Sequence, residues 1–308
     1  MIDDITFISQ IAIKSSVAVL LATIGEIITE RGGVLNLGVE GMMLVGALAG
    51  FAAGFATQNA LVAITAGMLA GGLLSLVHAF FTVKLRSNQV LCGLALTILG
   101  TGLANFMGRP LIGAAGIRIR PVQVPYLSDI PVLGDIFFFQ SPFAYAAYIL
   151  VPLAWYVLFR TRAGLVVRAV GEDAASADAA GVNVSLTRTL CIFSGGLFAG
   201  LAGTYLSLSY TPGWKETMTG GQGWIAIAMV IFCTWNPLRA FFGALLFGGL
   251  TALQFFFQAA SIDIIPSYIL KMMPYLLTIG VLVIVTTSSR RHTSAAPTDL
   301  GIPFSRDQ

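Results

Sequence analysis

Nine apolar stretches, near residues 8–28, 37–57, 60–83, 88–108, 141–159, 187–209, 223–236, 239–258 and 267–287, constrain this chain more than any motif does. Most are about 20 residues long, the length with which an α-helix crosses a hydrocarbon layer about 30 Å thick. Backbone in that layer must satisfy its own hydrogen bonds, which leaves helices or closed barrels. The alternating segments of roughly ten residues that build a barrel are missing from the sequence. The expectation is therefore an all-α, polytopic transmembrane helix bundle of about nine spans, one domain over residues 1–308. Composition agrees, because 56% of the residues are hydrophobic and only 10% charged, against about a quarter charged in soluble proteins.

Loop charges set an expected orientation, since Lys and Arg favour the cytoplasmic side. With the N-terminus outside, Arg31, Lys84, Arg86, Arg160, Arg162 and six further arginines fall on that side, eleven of the 17 basic residues. The expectation is N-terminus out and C-terminus cytoplasmic. Asp3 and Asp4 stand where a signal peptide would be basic, so cleavage is not expected.

Polar groups inside apolar spans must be paired or functional, and they concentrate in Glu30-Arg-Gly-Gly-Val-Leu-Asn-Leu-Gly-Val-Glu-Gly-Met-Met-Leu44. Glu40 follows Asn36 by four residues, which on a helix puts both on one face. Three roles stay open for Glu40: favouring the dipole of its own helix, organising a broken-helix region, or touching substrate. Glu26 is expected to reach the interface or pair with Arg31. Asn105 is a single amide in an apolar span, and Trp224, like Trp214, flanks a Gly-rich turn expected outside. Both residues join Asn36 and Glu40 as candidates for a substrate pathway.

Four spans, a central fifth and four more also allow two halves of inverted orientation. One Gly-rich break precedes the second span (Gly32, Gly33, Asn36, Gly38) and another the seventh (Gly220, Gly221, Gln222, Gly223), expected on opposite sides. Paired breaks of this kind point to transport sites. Gly46, Gly50 and Gly54, like Gly67 and Gly71, repeat at four-residue spacing and predict close helix contacts.

Two loops exceed what a connection needs. The external one, about 109–140, is Pro-rich and irregular. The cytoplasmic one, about 160–186, has Gly171 before Glu172 and Asp173, then Ala174 to Ala180 and Gly181. Acids at the start, good helix formers and a terminal glycine predict a short surface helix.

No catalytic or metal-binding constellation is written in the chain. His78 and His292 are isolated, the cysteines lack ligand spacing, and no phosphate-binding GxxxxGK[ST] loop occurs. Hydrolysis of ATP by this chain is not expected, and neither is a nucleic-acid partner.

The Glu30–Leu44 block, the segment Arg168-Ala-Val-Gly-Glu-Asp-Ala-Ala-Ser-Ala-Asp-Ala-Ala-Gly-Val-Asn-Val184 and Phe193-Ser-Gly-Gly-Leu-Phe-Ala-Gly-Leu-Ala-Gly-Thr204 closely resemble permease subunits of bacterial ABC importers. The group contains ribose and branched-chain amino acid permeases, and Asn-Leu-Gly-Val-Glu-Gly-Met-Met is most like its nucleoside-uptake members. The resemblance implies a type II importer-like fold in a bacterial inner membrane. It implies that the 160–186 loop holds a coupling helix docking on a separate ATPase, with Arg168, Gly171, Glu172, Asp173, Ala177 and Gly181 in that contact. It further implies ATP and Mg on that ATPase and no cofactor on this chain. A second permease, different from this one, and an extracellular or periplasmic substrate-binding protein complete the implied set, with lipid around them. A ribose or other sugar permease, a branched-chain amino acid permease and an ion-coupled secondary transporter are the alternatives.

Overall fold

A computed structural model of the chain describes residues 2–259, 272–273, 276, 279–280, 283 and 296–305. Eleven helices are described: α1 Ile2–Arg31, α2 Val39–Thr57, α3 Ala60–Ala79, α4 Gln89–Gly108, α5 Leu133–Phe137, α6 Pro142–Arg160, α7 Arg162–Glu172, α8 Ala174–Ala179, α9 Val184–Tyr205, α10 Gln222–Phe232 and α11 Pro237–Ala259. Wider-wound turns extend α3 to Lys84 and α9 to Tyr210. In the long loop after α4, Val122–Gln123 and Phe139–Gln140 form a two-residue antiparallel ribbon.

Short polar residues start the helices where the sequence has them. Asn59, Asn88, Ser141, Thr161 and Asn183 each accept a first-turn N–H of the helix that follows, satisfying donors that have no partner within the helix.

Among the described residues, seven helices are long and apolar enough to cross a membrane: α1, α2, α3, α4, α6, α9 and α11. The predicted seventh span, 223–236, is corrected. It is α10, with 11 residues and about 16 Å of rise, half of what a crossing needs. Thr234 and Trp235, both at φ +53°, turn the chain before it can continue. The predicted ninth span, 267–287, lies largely outside the described residues.

Helix α1 is the centre of the bundle, with Leu21, Ile24 and Ile27 fully buried. It runs antiparallel to α9: Gly25 packs on Gly195 and Phe198, and Gly32 on Cys191. Helix α10 runs alongside α1 in the same direction, from Ala226 near Thr23 to Trp235 at Glu30, while α2 follows α9, Gly46 meeting Gly200 and Gly50 meeting Thr204. The units α1–turn–α2 and α9–turn–α10 are thus oppositely directed. The glycine repeats pack inside the bundle, α2 and α3 against α9. A Cβ at Gly71 would lie 2.7 Å from Gly200 Cα, a spacing only small residues permit.

Candidate functional site

Two unwound segments reach the interior from opposite ends of the bundle and converge. The first, residues 32–38, leaves α1 at Arg31 and turns back. Its polar backbone is held by side chains from three helices. Leu35 N donates to Gln89 Oε1 (2.7 Å), His78 Nε2 donates to Leu35 O (3.1 Å), Asn36 N donates to Glu26 Oε1 (3.1 Å) and Thr97 Oγ1 donates to Leu37 O (2.8 Å). Non-helical backbone buried among apolar helices requires this lacing, because its surroundings offer no water as partner.

The second segment, residues 211–221, descends from the far end of α9. Trp214 is buried against Gly108, and Asn105 Oδ1 accepts from Thr217 N (3.2 Å). Glu40 then receives the bottom of the segment. Its Oε1 accepts from Thr219 Oγ1 (2.5 Å) and Gly221 N (2.9 Å), and its Oε2 from Gly223 N (2.7 Å). A carboxylate here meets the free N–H groups and positive dipole end of α10. The junction lies well inside the protein. Gly41, next to Glu40, packs on Leu96 and Thr97 near the middle of α4, and α10 separates Glu40 from the end of α1 by about 16 Å.

These contacts correct three expectations. Asn36 and Glu40 do not share a helical face, because α2 starts only at Val39. Asn36 instead accepts from Gly38 N (2.9 Å) in a local turn. Glu26, 1% exposed, bonds the first unwound segment rather than Arg31. The second Gly-rich break is no outer turn, since Gly221 and Gly223 sit on Glu40. Of the pathway candidates, Glu40 and Asn105 hold the second segment, Trp224 stands on the first turn of α10 and is 37% exposed, and Asn36 lies in the first segment. The open side of the second segment exposes Lys215, Glu216, Thr217 and Gly220.

At the end where α1 stops, the 160–186 loop forms two helices where one was expected. The additional one, α7, turns Val170 inward. Arg168 and Arg31 lie on Phe159, with guanidinium carbons 5.4 and 5.6 Å from its ring centre. Arg31 Nη1 is 4.0 Å from Glu172 Oε1 and Arg31 Nε donates to Trp235 O (3.3 Å). Gly171 is buried against Arg31 O. Asp173 caps α8, accepting from Ser176 Oγ (2.5 Å) and Ser176 N (2.9 Å). Those two bonds hold its carboxyl below the usual carboxylate range. Ala177 is buried with Ala174, Val170 and Val184, while Ala175, Ser176, Ala179 and Ala180 stay exposed. Gly181 follows at φ +87°, a conformation that only glycine adopts freely.

Sequence reasoning missed Gln89, Thr97, His78, Thr219, Trp235 and Asp299 as partners. Their signal was the isolation of a polar group in an apolar run; their counterparts lie too far along the chain to be read. Trp235 Nε1 donates to Glu30 Oε2 (2.5 Å) across 205 residues.

The model of the family described as branched-chain amino acid transport system / permease component matches residues 7–285. A protein of the archaeon Haloferax volcanii, named as a candidate glucose ABC transporter permease, is 40% identical over 96% of both chains. The nucleoside ABC transporter permease protein NupC of Lactococcus lactis is 36% identical over 87% of this chain and 88% of its own. The guanosine ABC transporter permease protein NupQ of Bacillus subtilis is 34% identical over 84% and 86%. No solved structure matches significantly. A family match over residues 7–285, on a bundle in which seven of the described helices are fit to cross a membrane, makes this chain a member of the branched-chain amino acid transport system permease component family, a multi-pass ABC transporter permease.

Proposed function

We propose that this chain forms one side of a nucleoside import path and couples it, through α7 and α8, to a separate ATPase. The observation that carries the reading is the second unwound segment. It runs from the end of α4, where Trp214 meets Gly108, inward to Glu40, yet one side of it, with Lys215, Glu216, Thr217 and Gly220, is uncovered. Irregular backbone is tolerated there only when it is buried in protein or lines a water-filled cavity. The open side is therefore read as a wall of the path, with the exposed ring of Trp224 below it.

In this reading Asn105 and Glu40 shape the path, Trp224 offers a flat apolar surface for a base, and Asn36 supports the first segment. Arg168, Gly171, Glu172, Asp173, Ala177 and Gly181 form the coupling element, the exposed small side chains of α8 seating against the ATPase. ATP and Mg are bound there and not on this chain. Motion of α8 would shift the bundle between outward-open and inward-open states of different substrate affinity. A second, different permease faces the path, and a substrate-binding protein delivers to it. The chain sits in the cytoplasmic membrane of a bacterium with its N-terminus outside, so the α7–α8 end faces the cytoplasm.

Similarity to the nucleoside and guanosine permeases supports the substrate class, and a base plus a ribose suits a path with one aromatic ring and few amides. A sugar is the second reading, favoured by similarity to the candidate glucose permease. The test is uptake of labelled adenosine, uridine, glucose, ribose and leucine by cells lacking the gene, with and without its restoration. Recovery of nucleoside uptake alone, dependent on an ATPase able to hydrolyse ATP, supports the proposal. Recovery of glucose or ribose uptake replaces the substrate, and uptake indifferent to the ATPase removes the coupling.

A further inference from the structure

Residues 298–302 come back to the coupling region from far along the chain and bond three separate parts of it. Asp299 N donates to Gly171 O (2.9 Å) at the end of α7, and Asp299 Oδ2 accepts from Ala174 N (2.7 Å), the first amide of α8. Thr298 Oγ1 donates to Glu172 Oε2 (3.1 Å). Two residues on, Gly301 N donates to Gly33 O (3.3 Å) in the first unwound segment, and Arg188 Nη1 at the base of α9 donates to Ile302 O (2.9 Å).

We propose that residues 298–302 are a transmission strap, with Asp299 as its positioning residue, that carries displacement of α8 to the unwound segment 32–38. Asp299 fixes one end to the coupling element by two bonds, and Gly301 fixes the other to Gly33. From Gly33 the unwound segment continues through Leu35 and Asn36 to α2, whose first turn holds Glu40 against α10. The route therefore ends at the junction of the two unwound segments. Coupling between distant sites travels through packed, hydrogen-bonded chains of this kind. Direct contact between Gly171 and Arg31 O lies beside the strap, so the two routes must be separated by experiment.

This inference rests on the reading of α8 as the ATPase contact. The test uses the whole transporter in lipid nanodiscs, comparing wild type, Asp299→Ala and Asp299→Asn. Two quantities are measured: ATPase retained on affinity-purified permease, and the ATP-plus-vanadate-induced change in hydrogen exchange at residues 172–180 and 32–38. Asp299→Ala is expected to retain the ATPase and the response at 172–180, while the response at 32–38 falls about tenfold, the scale of one charge-assisted bond. Asp299→Asn, which keeps an acceptor oxygen for Ala174 N, is expected to recover most of it. An unchanged response at 32–38 in Asp299→Ala overturns the strap and leaves the coupling reading standing, as does loss of the ATPase from that variant alone. If wild type itself retains no ATPase, the coupling reading and the strap fall together.

Discussion

Replacing Glu40 is the sharpest test of the junction, because one side chain holds the start of α10 by three bonds. Glu40→Ala removes the acceptor for two backbone N–H groups and one hydroxyl in a site where Glu40 is only 7% exposed. Buried hydrogen bonds contribute about 1 kcal/mol, those to charged groups about 1.5–3, and in membrane proteins the measured averages are smaller, about 0.6 with a maximum near 1.7. Taking about 0.6–1.7 kcal/mol for each of the three gives a loss of about 2–5 kcal/mol, a large part of a typical folding stability of about 5–15 kcal/mol. Glu40→Gln should lose about half as much, since one oxygen remains as acceptor while the amide NH2 faces an N–H donor. Thermal denaturation of the purified permease in detergent reads the effect, with midpoints lowered on the order of 10 °C for Ala and an intermediate value for Gln. If the Ala variant melts with wild type, or the Gln variant is the worse of the two, Glu40 does not hold α10 and the junction is wrongly assigned.

Trp235→Phe keeps an aromatic ring, though a smaller one, and removes the indole N–H that meets Glu30, so the same melting assay should show a loss of at least about 1–3 kcal/mol, and Glu30→Gln should partly restore it. Asp173 is held below its ordinary value of 3.8 by Ser176. The depressed carboxyl stabilises α8 fully above 3.8 and loses that effect as pH falls through its folded value. A spin label at Ala175→Cys should accordingly become more mobile as pH falls below 3.8, and Asp173→Asn should erase that pH response. Gly181 has open space around it, so Gly181→Ala should cost only the left-handed backbone strain, roughly 1–2 kcal/mol. Proline cannot adopt φ +87°, and Glu172→Lys with Gly181→Pro is expected to abolish uptake while the protein stays inserted; normal uptake would remove these residues from the coupling element.

The bundle was legible in the chain's hydropathy. Hydropathy is a sum over neighbours in the chain, so six spans between 8 and 209, and α11, were legible to within a few residues. Helix starts were equally local, as Asn183 and Asp173 illustrate by capping donors three residues away. The same locality failed at α10, where an apolar run continues through Cys233 but left-handed turns at Thr234 and Trp235 end the helix. What the isolated polar residues do was set by the packing of helices far apart in the chain. Glu40 finds Gly221 across 181 residues, Glu30 finds Trp235 across 205 and Asp299 finds Ala174 across 125. A buried polar group in an apolar span must be paired, which the sequence announces. Which partner it takes depends on which helices become neighbours, and in this chain close packing at glycines and the convergence of two unwound segments make that choice.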